Sequence, residues 1–141
     1  PGATGDSSSL FVKVRERVVE MPPVVAEAQH SVAKHFIPFY FGPGDTWHYI
    51  RGNKSIVRIA ERKPVFLTKV NPSAFLLLKL AYQAERDIRY AVSTGSAYKN
   101  SLPIKVTKQP GDVFELTPGS ELEPGEYAFV TSTTFYDFGI E

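Results

Sequence analysis

The chain has 141 residues, enough for one domain with a substantial core, and its apolar and charged fractions of 43% and 22% are those of an ordinary globular protein. Sixteen basic and fifteen acidic side chains leave a net charge of +1, too small an excess to argue for a nucleic-acid partner, and no apolar run is long enough to span a bilayer. Cysteine is absent, which excludes disulfides, thiolate metal sites and cysteine nucleophiles.

Ten Phe, seven Tyr and frequent β-branched residues favour β-structure. The first residue is Pro1 rather than Met, and we expect a processed, exported product. Residues 1–9 form a polar Gly/Ser leader, followed by one domain over residues 10–141. Leu10 to Met21 reads as one long strand with Leu10, Val12, Val14 and Val18 on a single face, and Pro22-Pro23 ends it. Val24 to Lys34 carries apolar residues at roughly helical spacing, so a short helix there stays open beside a loop that leads into a strand over Ser31 to Phe41. Gly42 to Asp45 predicts a turn, Thr46 to Arg51 a short strand, Ser55 to Ala60 another with Val57 and Ile59 inward, and Pro64 to Val70 the next.

Ala74 to Ser93 has helix-favouring composition, with Ser73 as a candidate cap. Yet Leu76, Leu78, Leu80 and Tyr82 alternate with their neighbours, and Ile88, Tyr90 and Val92 repeat the pattern beyond Glu85-Arg86-Asp87. The alternation predicts strand, charged tight turn, strand. Ser96 to Ser101 reads as a loop and Pro103 to Lys108 as a strand with Ile104 and Val106 inward. Near the end, Phe114 and Leu116 alternate with polar residues until Pro118-Gly119 stops them. Leu122-Glu-Pro-Gly125-Glu-Tyr127 predicts a tyrosine corner, in which the phenol bonds back to the preceding bend. These elements amount to eight or nine strands and an all-β, immunoglobulin-like Greek-key sandwich.

Arg58 to Phe66, the Leu-rich Phe75 to Tyr82, Pro103 to Val106, Pro124-Gly-Glu-Tyr-Ala-Phe129 and Asp137-Phe-Gly-Ile140 together resemble a loose set of secreted or envelope-associated bacterial β-sandwich proteins. The resemblance covers roughly Ile56 to the C-terminus; it implies an exported sandwich and transfers neither a catalytic motif nor a ligand.

Candidate chemistry is thin. His30 and His35 are five apart, which suits neither a helical nor a strand metal pair, and His48 lies between Trp47 and Tyr49. Ser93 to Ala97 is no nucleophile elbow, Gly42 to Asp45 is no phosphate loop, and Glu121, Glu123 and Glu126 read as a solvated bend. We therefore expect no enzyme, cofactor, metal or nucleic-acid partner. The first functional expectation is a structural or accessory subunit of an extracytoplasmic assembly, a filament or an envelope complex. In it Leu10, Val12, Val14 and Val18 pair with a neighbouring copy or another envelope protein. Its competitor places the same segment as the first strand of its own sandwich. The alternative function is a secreted module that presents Trp47 and Tyr49, anchored by Arg51, to carbohydrate or protein. The basic run Arg51, Lys54, Arg58, Arg62 and Lys63 reads as a solvated face or as a docking surface for acidic groups.

Overall fold

The structure, a computed structural model, describes residues 10–30, 45–94 and 97–141. The N-terminal half holds β1 (Phe11–Val14), β2 (Arg17–Glu20), β3 (Val24–Val25), β4 (Glu27–His30), β5 (Asp45–Arg51), β6 (Arg58–Ile59) and β7 (Val65–Thr68). After a 3-10 turn at Pro72–Ala74 come β8 (Leu76–Lys79), β9 (Ala81–Gln83), β10 (Ile88–Thr94), β11 (Ala97–Tyr98) and β12 (Ser101–Leu102). The chain closes with β13 (Ile104–Gln109), β14 (Val113–Pro118), β15 (Gly125–Thr131) and β16 (Thr134–Ile140). No α-helix occurs among the described residues.

The strands form three sheets, in the orders β13-β14-β7-β1-β2, β12-β8-β15-β16-β3 and β11-β10-β5-β4. Pairing is antiparallel except where β6 lies parallel to β16. The second sheet sits between the other two. From one of its faces Leu77, Tyr127, Phe129, Tyr136, Phe138 and Ile140 pack against Val12, Phe66 and Leu116 of the first sheet. From its other face Leu78, Ala128, Val130 and Phe135 meet Ile50 and Ala91 of the third. Successive strand residues point to opposite faces, so a strand buried on both sides must be apolar almost throughout. Phe135 to Ile140 obeys this, with every residue buried.

The alternation over Ala74 to Ser93 does mark strands, but with a change of sheet inside it. Leu80 N–H donates to the Glu126 carbonyl of the middle sheet at 2.9 Å, and the next residue, Ala81, pairs with Tyr90 of the third. Val24 to His30 crosses the same way: Ala26 N–H bonds the Thr133 carbonyl at 2.9 Å, and Glu27 then pairs with Tyr49. The cap of the 3-10 turn is Asn71 rather than Ser73, because Asn71 Oδ1 accepts the Ser73 N–H.

Two readings of the sequence need correction. Leu10 to Met21 is a hairpin, not one strand: Arg15 takes a positive φ of 58° and turns the chain so that Val12 faces Val19 and Lys13 faces Val18. Val18 thereby leaves the face of Val12 and Val14. The count of eight or nine strands in a two-layer sandwich also falls short, since a third sheet is built from β4, β5, β9, β10 and β11. Smaller departures follow from packing: only Arg58–Ile59 of the segment Ser55 to Ala60 pairs as a strand, and Val106 stands on an exposed edge. The leader, the strand expected over residues 31–41, His35, the turn residues 42–44 and residues 95–96 lie outside the described residues.

At the bend before β15, the Tyr127 hydroxyl donates to the Glu123 carbonyl at 2.7 Å. The Tyr127 ring is buried and stacks on Phe138 at 5.8 Å, beside buried Leu122. Burial, helped by the nearby Glu123 carboxylate, pushes the phenol above its ordinary pKa of 10.0. A folded-state pKa raised above the unfolded one means stability that is present below pH about 10 and is lost as pH rises through the folded value. Tyr127→Phe should therefore cost on the order of 1 kcal/mol at neutral pH and reduce the alkaline loss of stability. Urea unfolding at neutral and alkaline pH checks both; an unchanged midpoint would remove the corner from the stabilising interactions.

Candidate functional site

Between the middle and third sheets lies a buried group of charges. Arg89 is on β10, opposite Ile50 and on the face that meets the middle sheet. Its Nη1 donates to Asp137 Oδ2 at 2.8 Å and to Glu126 Oε1 at 3.2 Å, while Nε and Nη2 donate to the carbonyls of Gly52 and Arg51. The Arg89 side chain is 4% exposed and that of Asp137 is 9% exposed. An ion pair so deep persists only when hydrogen bonds replace lost hydration, as they do here.

The group extends outward through Arg58, whose Nη1 donates to Glu126 Oε2 at 2.6 Å and whose Nε donates to Glu141 at 3.1 Å. These carboxylates raise the Arg58 pKa above its ordinary value, the Glu126 hydrogen bond contributing most. A Cβ at Gly139 would run into Arg58 Nη1 and Glu126 Oε2, so glycine at this position makes room for the ion pair. Ser55 ties the same corner together: its N–H donates to Glu126 Oε1 at 2.8 Å and its hydroxyl to the Asp137 carbonyl at 2.9 Å. Glu126 is thus no solvated bend residue, and Arg58 no free surface cation.

Above Arg89 and Asp137 opens a cleft of about 370 Å³, walled by Val24, Val25, Ile50 and Ile56, with Glu27, Arg51 and Lys54 at its mouth. Val25 and Ile56 are 73% and 86% exposed, the two most exposed large apolar side chains among the described residues. Arg51 and Glu27 pair with each other at 3.0 Å.

The expected ligand platform is not on the surface. Trp47 and Tyr49 are 5% and 8% exposed. The Trp47 ring stacks on Tyr90 at 4.1 Å, and the Arg86 guanidinium lies 6.0 Å from the Trp47 ring and 5.3 Å from that of Tyr49. Flat rings under a cation are shielded from stacking on a sugar. Arg51, the expected anchor, is exposed and sits 5.8 Å from the Tyr49 ring.

On the strand that carries them, Asp45 and His48 face opposite sides of the sheet. His48 Nε2 and Ser93 Oγ are 2.9 Å apart, but Asp45 is an odd number of residues from His48 on β5 and faces the other side of the sheet. Asp45 accepts instead from Thr94 Oγ1 at 2.7 Å and Lys99 Nζ at 3.2 Å. The Thr94 hydroxyl above all, then Lys99, holds its carboxyl below the usual carboxylate value against the opposing effect of burial. Among the described residues no three or more His, Asp or Glu side chains converge as metal ligands, and no helix is long and apolar enough to cross a membrane.

Of the residues expected to contact a neighbour, Leu10 and Val12 are buried in the chain's own core, Val14 is half-buried against it, and Val18 is 54% exposed on β2. Arg89 and Asp137, the buried pair, carried no signal of their own in the sequence; an acid within the apolar run Phe135 to Ile140 was the one available hint.

Two expected outcomes follow from the charges. Arg89→Met leaves Asp137 and Glu126 without their buried partner and should cost about 3–5 kcal/mol in urea unfolding; a loss near zero would show that the carboxylates find water instead. Asp45 has a depressed folded pKa, so its contribution is present above pH 3.8 and lost as pH falls through the folded value. Asp45→Asn should flatten the acid limb of the stability profile without moving the alkaline limb.

No family model, curated protein or solved structure matches this chain.

Proposed function

We propose that the chain is a non-enzymatic structural subunit of an extracytoplasmic bacterial assembly, joined to copies of itself through the open edge of its first sheet. The observation that carries this reading is β2. Among the described residues it is the edge strand of the sheet, all four of its residues are exposed, and Val18 and Val19 stand at its centre, 54% and 42% exposed. Unpaired backbone groups beside apolar side chains form a template for a further strand. The donor role expected for Leu10 to Met21 gives way to an acceptor role: β1 is already paired on both sides, with β2 and β7.

The finer fold supports the same placement. The strand orders β1-β7-β14-β13 and β16-β15-β8 support reading these two sheets as an immunoglobulin-like Greek key, in which Tyr127 would stand near the start of the sixth strand. The third sheet then comes from the two long insertions between β1 and β7 and between β8 and β12. Export and a bacterial envelope setting rest on the resemblance of the Ile56 to C-terminal region to secreted sandwich proteins.

Sedimentation of the whole chain over a range of concentrations tests the proposal. The expected result is a mass that rises with concentration, and a dissociation constant raised about tenfold or more in Val18→Lys/Val19→Lys, whose exposed positions leave the core untouched. A chain that stays monomeric at the highest concentration sinks the reading.

A further inference from the structure

The cleft above Arg89 and Asp137 has a charge balance that selects its occupant. Asp137 is neutralised by Arg89 and Glu27 by Arg51. Arg89 cannot take a new anion easily, because its donors already face two carboxylates and two carbonyls. Lys54 is the cation at the mouth that makes no ion pair among the described residues. An incoming negative group is therefore drawn to the rim, while apolar groups fill the space between Val24, Ile50 and Ile56.

The exposed apolar surface argues for an occupant larger than a small ligand. The cleft, about 370 Å³, is at the low end of small-molecule pockets, which span roughly 300–1,000 Å³. Its apolar surface also continues past the rim onto Val25 and Ile56, which remain 73% and 86% exposed. A small molecule held inside would still leave most of the Val25 and Ile56 surface in water, whereas a protein partner would cover cleft and rim together. A large side chain buried in a pocket whose surroundings exclude water is the usual centre of a binding hot spot.

We infer that the cleft is a docking site for an acidic segment of a partner protein, with one large apolar side chain inserted between Val25 and Ile56 and a carboxylate paired with Lys54. The inference goes beyond the self-assembly reading and concerns a surface other than the β2 edge.

The test uses the whole chain and a fluorescein-labelled peptide, acetyl-Glu-Asp-Phe-Leu-Asp-Glu-amide, in a polarisation titration at low salt. Saturable binding is expected, weakened about tenfold by Lys54→Glu and to a similar degree by Ile56→Ser. The same peptide with Lys in place of its four acids should bind at least tenfold more weakly. Both substituted side chains are exposed, so an unchanged circular dichroism spectrum will accompany them. Absence of binding, equal binding of the acidic and basic peptides, or indifference to both substitutions overturns the proposal. Octanoate serves as the small-ligand control: displacement of the peptide by octanoate at comparable concentration would assign the cleft to a small amphiphile and overturn it as well. A chain that binds the peptide yet stays monomeric keeps this site and loses the self-assembly reading; one that self-associates and ignores the peptide does the reverse.

Discussion

The two central strands of the middle sheet have no solvent face along most of their length. β15 and β16 are covered by the first sheet on one side and the third on the other, so the choice of residue there is constrained twice. Large rings, Tyr127, Phe129 and Phe138, fill the thicker interface, where Phe66 meets Phe129 and Phe138 at 4.7 and 4.9 Å. The smaller Ala128 and Val130 share the opposite face with Phe135. A charge on that face has no route to bulk water except along the sheets. Arg89 supplies the countercharge from the facing layer, and its remaining donors are taken up by the carbonyls of Arg51 and Gly52. The cleft, the Ser55 contacts and the Arg58 bridge are all arranged around that requirement.

Residues of the C-terminal segments have individual physical roles. Pro124-Gly125 turns the chain toward Tyr127, whose phenol closes the bend on Glu123. Glu126 and Asp137 hold Arg89, Ala128 keeps the approach of the third sheet close, and Phe138 and Ile140 belong to the main core. Gly139 leaves the volume that the Arg58 guanidinium occupies.

Local pattern carried much of the fold into the sequence. Alternation located β5, β8, β10, β14 and β15, and the Pro-Gly bend with Tyr127 marked the corner. What stayed hidden was long-range. Double burial turns alternation into a nearly unbroken apolar run, and Phe135-Tyr-Asp-Phe-Gly-Ile140 has that form, but it does not say which layers do the covering. The Arg89–Asp137 pair joins residues 48 apart. The hairpin break at Arg15-Glu16 has no Gly, Pro or Asn to announce it, because Arg15 itself adopts the left-handed conformation that side chains usually avoid. Alternation on a strand allows Trp47 and Tyr49 to point inward, but the Arg86 guanidinium that covers their rings comes from the distant turn between β9 and β10.

The two crossings, at Ala26 and Leu80, bear on how the layers keep their alignment. A strand in a single sheet can slip by two residues and return the same side chains to the same face. Here the segment through Leu80 is bonded to Glu126 in one sheet and, one residue later, to Tyr90 in another, and the segment through Ala26 repeats this with Thr133 and Tyr49. Slippage in either sheet would have to be matched, in step, by slippage in its neighbour. The chain thus works as a pair of stitches through adjoining fabrics, and the register of each sheet is fixed by the other.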